Sequence, residues 1–314
     1  MIRPLLFKLF RRIITIVISF LLSNNIIITT PLQAQEWIDN DDLVIVKMRG
    51  GKERLGIIQK EDDVKILLQE LNKDTVSIEW ADMKSVRAAG RVRLVNGKFW
   101  YENQYAANYF LGPSAIGLNK GEGFYHNGLV LGNQVQYGLS NRLSIRVFVA
   151  PFTILDRYSD SPVVINPQLR ISNQSGKANV AVGFMYATSI PDGIDNGENY
   201  IIPYGIITLG SKDRNVSFTL GYLHDAFYNE DYLIPKIDVM FRVSPRLYVI
   251  TENYIIWDLY YLDYWSGLFS VGIRSAGRRI AFDFGVGAAM DDILGNPYVT
   301  PIPWVGLTIP FGRW

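Results

Sequence analysis

The sequence of 314 residues contains no cysteine. It therefore forms no disulfide, no thiolate metal site, no cysteine nucleophile and no lipoprotein anchor. Only two histidines occur, and charged residues make up 19% of the chain with a formal net charge of +1. This balance provides no basic surface of the kind that nucleic acid requires, so we expect no nucleic-acid partner. No full metal-ligand or cofactor motif is present, and we expect neither a metal nor a cofactor.

Aromatic residues and glycine are abundant instead: the chain has 18 Tyr, 16 Phe, 7 Trp and 27 Gly. This usage favours many strands joined by tight turns over a helical protein. The mean hydropathy of +0.09 is too low for a membrane protein of several helices. It fits a barrel, in which only alternate residues of each strand meet lipid.

Residues 1–34 have the layout of a signal peptide. Four basic residues precede an apolar run at residues 13–22, and Ala34 is a suitable residue before a cleavage site. An uncleaved helical anchor is the alternative, because residues 13–34 carry no charge and are long enough to span a bilayer. Breaks at Asn24, Asn25 and Pro31 favour the cleaved signal.

Residues 35–90 are predicted to form a small β module. Four short strands, at 43–49, 53–59, 64–69 and 75–80, are followed by a helical turn and a fifth strand. This order resembles a small SH3-like or Sm-like barrel, and the resemblance rests on pattern alone. Its basic residues, which acidic ones dilute, are expected to form a solvated face. Residues 91–104, with a short hairpin around Asn96-Gly97, are interpreted as a linker.

From residue 105 to residue 314 the chain predicts a transmembrane antiparallel β-barrel of about twelve strands. Tight turns alternate with longer connections, as in bacterial outer-membrane barrels. An even strand number leaves both barrel ends on one side, with the small module, which we expect to be periplasmic. The expected strands are 105–118, 124–139, 143–152, 163–172, 178–189, 200–210, 216–225, 232–243, 247–259, 266–276, 280–290 and 298–311.

The faces of these strands indicate lipid contact. In strand 280–290, for example, Ile280, Phe282 and Phe284 share one face, and Ala281 and Asp283 lie on the other. Large apolar residues outside and small or polar ones inside are what a membrane barrel requires. A soluble β-sandwich would place its bulky residues in the core instead.

The last strand, within 298–314, carries the clearest alternation, and we expect it to close the barrel against residues 105–118. It also resembles the assembly signal of outer-membrane proteins, on residues Trp304, Gly306, Ile309, Phe311 and Trp314. Residues 108–127 (NYFLGPSAIGLNKGEGFYHN), together with the small module, resemble outer-membrane barrel proteins of the Bacteroidetes type. This resemblance implies a location and a route of assembly, and no activity.

Charged residues on the inward faces suggest a lumenal cluster. Glu252, Arg274 and Asp283 fall on three consecutive predicted strands, near the short turns. One interpretation is a gate or an ion-selective constriction. The other is a paired network that fills the interior of a small barrel. Further inward candidates are Arg146, Arg170, Lys236, Asp238 and Arg242.

The sequence thus predicts an outer-membrane barrel that acts as a small-solute channel or a structural surface protein. The alternative is a phospholipase-type or protease-type hydrolase at the extracellular rim, for which we find no matching motif. Its weak catalytic candidates are His126, His224, Asp225 and Asp291. Expected partners are outer-membrane lipids, the barrel-assembly machinery and an envelope protein that binds residues 36–90.

Overall fold

The computed structural model describes residues 42–71, 73–89, 92–95, 98–130, 132–151, 161–172, 177–190, 199–225, 229–261, 265–293 and 296–312. The predicted signal peptide and Trp314 lie outside these residues. The chain divides into two compact units, Pro31–Glu102 and a larger one that contains Asn103–Trp314. Within the described residues, no helix is both long and apolar enough to cross a membrane.

The smaller unit is a five-stranded antiparallel sheet, as predicted. Its strands follow the order β4-β3-β2-β1-β5, and a 3-10 turn at Trp80–Asp82 precedes β5. At the turn into β3, the carboxylate of Asp62 accepts hydrogen bonds from the amides of Val64 and Lys65 at 2.9 Å. These two bonds lower the pKa of Asp62. The strands are β1 (Leu43–Met48), β2 (Glu53–Glu61), β3 (Lys65–Glu70), β4 (Thr75–Glu79) and β5 (Met83–Ala88).

Both faces of this sheet carry apolar clusters. One contains Val46, Ile66 and Leu68. On the other face, Leu43 and Ile45 cluster with residues of a hairpin formed by β6 (Val92–Val95) and β7 (Lys98–Tyr101). The hairpin expected around residues 96–97 is therefore present, and its side chains pack in the core of the small unit.

The larger unit is a closed antiparallel barrel of twelve strands, which confirms the predicted fold class and strand number. The last strand pairs with the first, from Gly306↔Gly128 to Gly312↔Glu122. The strands are β8 (Glu122–Gly128), β9 (Gly132–Gly138), β10 (Leu143–Val149), β11 (Ser161–Arg170), β12 (Ala178–Ile190), β13 (Asn199–Gly210), β14 (Arg214–Asp225), β15 (Glu230–Ser244), β16 (Leu247–Asp258), β17 (Trp265–Ala276), β18 (Ala281–Ile293) and β19 (Asn296–Gly312).

The predicted total of twelve is correct because two errors cancel. Residues 105–118 form no barrel strand, so the prediction that they pair with the last strand is wrong; β8 takes that place. The predicted strand 124–139 is two strands, β8 and β9, joined by a turn in which Leu129 and Val130 adopt positive φ. The longer connection expected at 291–297 is wrong too, since β18 and β19 remain paired as far as Ile293↔Asn296.

The outer face of the barrel is apolar, as the alternation predicts. On β18, Phe282, Phe284 and Val286 are each close to half exposed, whereas Ala281 and Asp283 are fully buried. The same alternation runs along β14 and β19. A surface of large apolar side chains around a closed ring of strands is the form that lipid requires, because pairing between neighbouring strands satisfies the backbone groups inside the barrel.

The wall is lower on one side. Strands β8, β9 and β10 have 7 residues each, whereas β19 has 17. In the described part of the chain, residues 296–304 of β19 therefore have no partner on the side of β8. The amide of Leu129 donates to the carbonyl of Val305, so odd-numbered residues of β19 direct their backbone groups toward this edge. Pro301 and Pro303 lie on it, where a missing amide is tolerated.

Candidate functional site

Residues 103–121 enter the barrel and fill part of its lumen; we call this segment the plug. Both of its ends lie where the strands are joined by short connections, which we call the turn end. Near the start, the amide of Asn103 donates to the carbonyl of Lys212 at 2.6 Å, and the hydroxyl of Tyr105 to Gly277 at 2.7 Å. Near the end, the amide of Gly121 donates to the carbonyl of Gly138 at 2.9 Å. The plug thus rises from the turn end, reverses inside the barrel and returns.

The reversal of the plug is held by the carboxylate of Glu252 on β16. Its Oε2 accepts hydrogen bonds from the amides of Phe110 and Leu111 at 2.7 and 2.8 Å. Its Oε1 accepts one from the amide of Gly112 at 2.8 Å. Three successive amides directed at one carboxylate form a backbone anion-binding nest, which stabilises the buried charge of Glu252.

Lys236 completes this contact from the neighbouring strand β15. Its ammonium nitrogen lies 2.8 Å from Oε1 of Glu252 and 2.9 Å from Oδ2 of Asp238. A Cβ added at Gly112 would lie 1.8 Å from that nitrogen and 2.8 Å from Oε1 of Glu252. A Cβ at residue 112 would therefore displace the side chain of Lys236 from the pair, whereas glycine leaves the pair in place. We call Glu252, Lys236 and the amides of residues 110–112 the latch.

A second charged contact holds the lower part of the plug. The guanidinium of Arg274 on β17 donates to both carboxylate oxygens of Asp283 on β18, at 2.7 and 2.8 Å. Its remaining donors bind the carbonyls of Asn108 at 2.9 Å and Tyr109 at 2.5 Å. Both charged side chains are buried, and this bidentate geometry compensates their desolvation.

The three residues of the predicted lumenal cluster thus all face the interior, in two separate contacts. Arg274 and Asp283 pair with each other, and Glu252 pairs with Lys236. In both contacts the charges of the wall bind backbone atoms of the plug. The sequence placed the charges but missed the chain segment that they hold.

Other wall residues bind the plug in the same way. Arg146 donates to the carbonyl of Leu111 at 2.8 Å, and Gln168 to that of Ser114 at 2.8 Å. The hydroxyl of Tyr109, a plug residue, donates to Asn215 at 2.6 Å. Burial raises the pKa of Tyr109 well above its usual range, so its hydroxyl stays a donor. Arg170 donates to the carbonyl of Ile116 at 2.5 Å and also to that of Asn141.

Above the plug, toward the opposite end that we call the loop end, lies a cavity of about 730 Å³. Leu111 of the plug and Trp304 of β19 lie among its lining, and the ring of Phe110 packs against Trp304 at a centroid distance of 5.3 Å. The walls come from β16 to β19 and include Tyr254, Leu268 and Ile302. The described lining contains no charged residue. The plug therefore closes the turn end beneath a mainly apolar chamber.

The catalytic candidates do not come together. His126 on β8 is fully buried, and its Nδ1 lies 2.9 Å from the hydroxyl of Thr308. His224 on β14 is exposed, and its Nδ1 lies 2.9 Å from Oδ1 of Asp231. In the ring order, β8 and β14 are six strands apart in either direction, so the two histidines lie on opposite walls. Asp225, beside His224, is buried, and the side chain of Asp291 is outside the description.

Among the described residues, no group of three or more histidine, aspartate or glutamate side chains could hold a metal ion. Neither histidine is described with both a hydroxyl nucleophile and a carboxylate within hydrogen-bond reach. Nucleophilic hydrolysis needs that arrangement, so the rim-hydrolase alternative gains no geometric support.

The residues of the expected assembly signal face opposite sides of β19. Ile309 and Phe311 are exposed on the outer surface, whereas Trp304 and Gly306 are buried toward the lumen. Trp304 thus has a structural role as part of the cavity lining, which the sequence pattern did not predict.

The plug had a signal in the sequence. Residues 105–118 lack the alternation of the other strands, and Gly112, Pro113 and Gly117 interrupt them. Glycine and proline inside a run argue against a central strand. Gly117 has positive φ, and an isolated bridge between Asn108 and Pro113 marks the reversal.

The fold and the lumen together define a plugged antiparallel barrel with an apolar outer surface. No protein-family model matches the chain, and no curated protein matches its sequence. Solved structures give only distant likenesses. The outer membrane channel DcaP of Acinetobacter baumannii is 11% identical, with 86% of this chain and 94% of that chain covered and a TM-score of 0.34.

Two further likenesses are of the same kind. The CymD monoaromatic hydrocarbon channel is 7% identical, with 86% and 87% covered and a TM-score of 0.36. The outer-membrane expressed OmpT of Vibrio cholerae is 12% identical, with 88% and 100% covered and a TM-score of 0.33. These TM-scores are too low to inform the function of this chain, which we derive from its own strands and lumen.

Proposed function

We propose that the chain is an outer-membrane β-barrel that passes small solutes and is closed at its turn end by the plug. The observation that carries this proposal is the division of the lumen. An open chamber lies on the loop-end side, against β16 to β19, and its floor is a segment without regular secondary structure that side chains of the wall hold mainly through its backbone. A barrel with only a structural role would need no such chamber above the closure.

The membrane placement is supported by the outer surface. Closed barrels with an apolar exterior span outer membranes, with short turns on the periplasmic side. We therefore place the turn end in the periplasm, and with it the small unit, which the chain joins to the plug at residues 102–103. The SH3-like character of that unit, its envelope partner and the kinship with barrels of the Bacteroidetes type remain predictions from the sequence.

Assembly follows from the same placement. The outward residues Ile309 and Phe311 lie where β19 closes against β8, and we propose that the barrel-assembly machinery recognises this strand. Outer-membrane lipids are then the partners of the apolar exterior. Heat-modifiable gel mobility of the membrane-extracted protein tests this part, because a folded barrel migrates differently before and after boiling.

Conductance in planar bilayers tests the proposed passage. We expect rare openings for the parent and more frequent ones for Glu252→Gln, which weakens the latch. If Glu252→Gln releases the plug, as cysteine labelling can report, yet the bilayer stays ion-tight, the passage is refuted and a structural surface role takes its place.

A further inference from the structure

The chamber and the plug contacts beneath it differ in chemistry. The charged residues Glu252, Lys236, Arg274 and Asp283 all lie where they contact the plug or each other. The chamber above the plug is a space that the protein does not fill, and its described lining has no charge. Its largest members are Leu111, Tyr254, Ile256, Leu268, Ile302 and Trp304.

Such a lining is costly if only water fills the chamber. Each apolar side chain left in contact with water forfeits the free energy that its burial would contribute. Water-filled lumens of membrane barrels are accordingly polar. A concentration of uncovered apolar groups in a concave space is typical of ligand sites, and about 730 Å³ falls within the range of small-molecule pockets.

The low side of the wall points to the same kind of ligand. Thr300, Ile302 and Trp304 line the chamber from β19, in the part of that strand that has no described partner on the side of β8. Leu129, in the turn after β8, is also part of the lining. The chamber thus adjoins an incomplete stretch of wall. In a barrel inserted in a membrane, this stretch would face the apolar layer, in which apolar molecules are concentrated.

We propose that this chamber is a binding site for an uncharged, largely apolar small molecule. The flat ring of Trp304 and the aliphatic walls provide contact area, and Ser266, Ser270 and Thr300 provide the few polar groups. Gly287 adds no side chain to the chamber. Free space lies beside it, since a Cβ there would meet atoms only at 3.4 Å or more. Charged solutes are disfavoured because the described lining offers no counter-charge.

A pair of neighbouring substitutions tests this site. Ala289 lines the chamber, while Ala288 has the opposite, outward phase of β18. Ala289→Trp should project an indole into the chamber and occupy part of it, and Ala288→Trp adds the same side chain on the lipid side. The assay is fluorescence titration with the uncharged probe N-phenylnaphthylamine in lipid nanodiscs, with empty discs subtracted and naphthalene or naphthoate as competitors.

We expect saturable binding to the parent and to Ala288→Trp, and affinity at least about tenfold weaker for Ala289→Trp. Naphthalene should compete and naphthoate should not. Equal binding to both tryptophan variants, competition by naphthoate as strong as by naphthalene, or no saturable binding to the parent would each overturn the proposal. Leu268→Asn, of similar size but polar, should weaken binding as well and serves if Ala289→Trp fails to fold.

The inference rests on the proposed function for the membrane placement of the barrel, and it does not rest on the passage of solutes. Binding is measured without any ion flow. A saturable site in a barrel that stays ion-tight even when Glu252→Gln has released the plug would uphold this site and refute the passage, and a conducting barrel without the site would do the reverse.

Discussion

Replacement of Glu252 by glutamine should release the plug while leaving the barrel intact. The two side chains have nearly the same shape, so packing around residue 252 is preserved. The carboxylate accepts from three amides and faces Lys236 with its two oxygens. The amide of glutamine has one acceptor oxygen, and its other end is a donor.

The size of the effect follows from that geometry. If the oxygen of glutamine stays with Phe110 and Leu111, its amino group meets two donors, the amide of Gly112 and the ammonium of Lys236. If it turns round, Phe110 and Leu111 lose their acceptor. A lost hydrogen bond to a charged group costs about 1.5–3 kcal/mol. Two such bonds are lost in either orientation, so we expect a total of roughly 3–6 kcal/mol, which raises the population of the released plug about 100-fold to about 20,000-fold.

The absence of native cysteine makes a clean assay available. Ser114 of the plug is fully buried, and its hydroxyl donates to the carbonyl of Ala106 at 2.6 Å. Ser114→Cys should therefore react with a water-soluble maleimide only when the plug leaves the lumen. When release and return are faster than labelling, the labelling rate reports the released population.

The matched control is Glu230→Gln, which makes the same chemical change at the loop end of β15. It should leave the labelling rate of Ser114→Cys unchanged, because none of the described contacts of Glu230 involves the plug. If Glu252→Gln labels within about twofold of its parent, the three amide contacts contribute far less than charged hydrogen bonds do, and the latch is not what holds the plug.

Three other predictions follow from the same structure. Gly112→Ala should raise the labelling rate of Ser114→Cys as Glu252→Gln does, because its Cβ collides with the latch. Gly205→Ala is the control, since nothing lies within 4 Å of an added Cβ there. Equal labelling of the two glycine variants would contradict the close approach. Arg274→Ala should lower the free energy of unfolding by about 3–5 kcal/mol, because Asp283 is left buried and unpaired. Semi-native gels should show this as a lower unfolding temperature. The second substitution Asp283→Asn should restore part of the loss, and no recovery would argue against a stranded charge. Deletion of residues 311–314 should block membrane assembly while export continues, since two pairs of the β19–β8 seam are lost, and normal insertion of the truncated chain would refute the role of the last strand.

Much of the barrel could be read from the sequence because each strand obeys one local rule. On β18, large residues alternate with small ones, and the alternation alone fixes which face meets lipid. The strand total was right for a partly wrong reason. The turn at Leu129–Val130 was hidden inside the predicted strand 124–139 because positive φ at Leu and Val has no common sequence signal, although Asn127-Gly128 and Gly132-Asn133 flank it.

The contents of the lumen could not be read in the same way. Glu252 and Arg274 were placed inside by their phase, but their partners are backbone atoms of residues 108–112. No side-chain pattern encodes a backbone partner that is about 140 residues away along the chain. The cavity lining could not be predicted either, because the sequence does not distinguish an inward Trp304 that lines a cavity from an aromatic residue of an assembly signal.

The plug leaves the barrel at the same end at which it enters, and this has a topological consequence. A segment that passed through the ring from one end to the other would be threaded, and the barrel could close only around it. A re-entrant loop is not threaded. The ring can close at β8 and β19 before the loop is seated, and the loop can be withdrawn and reinserted any number of times without opening a single strand pair.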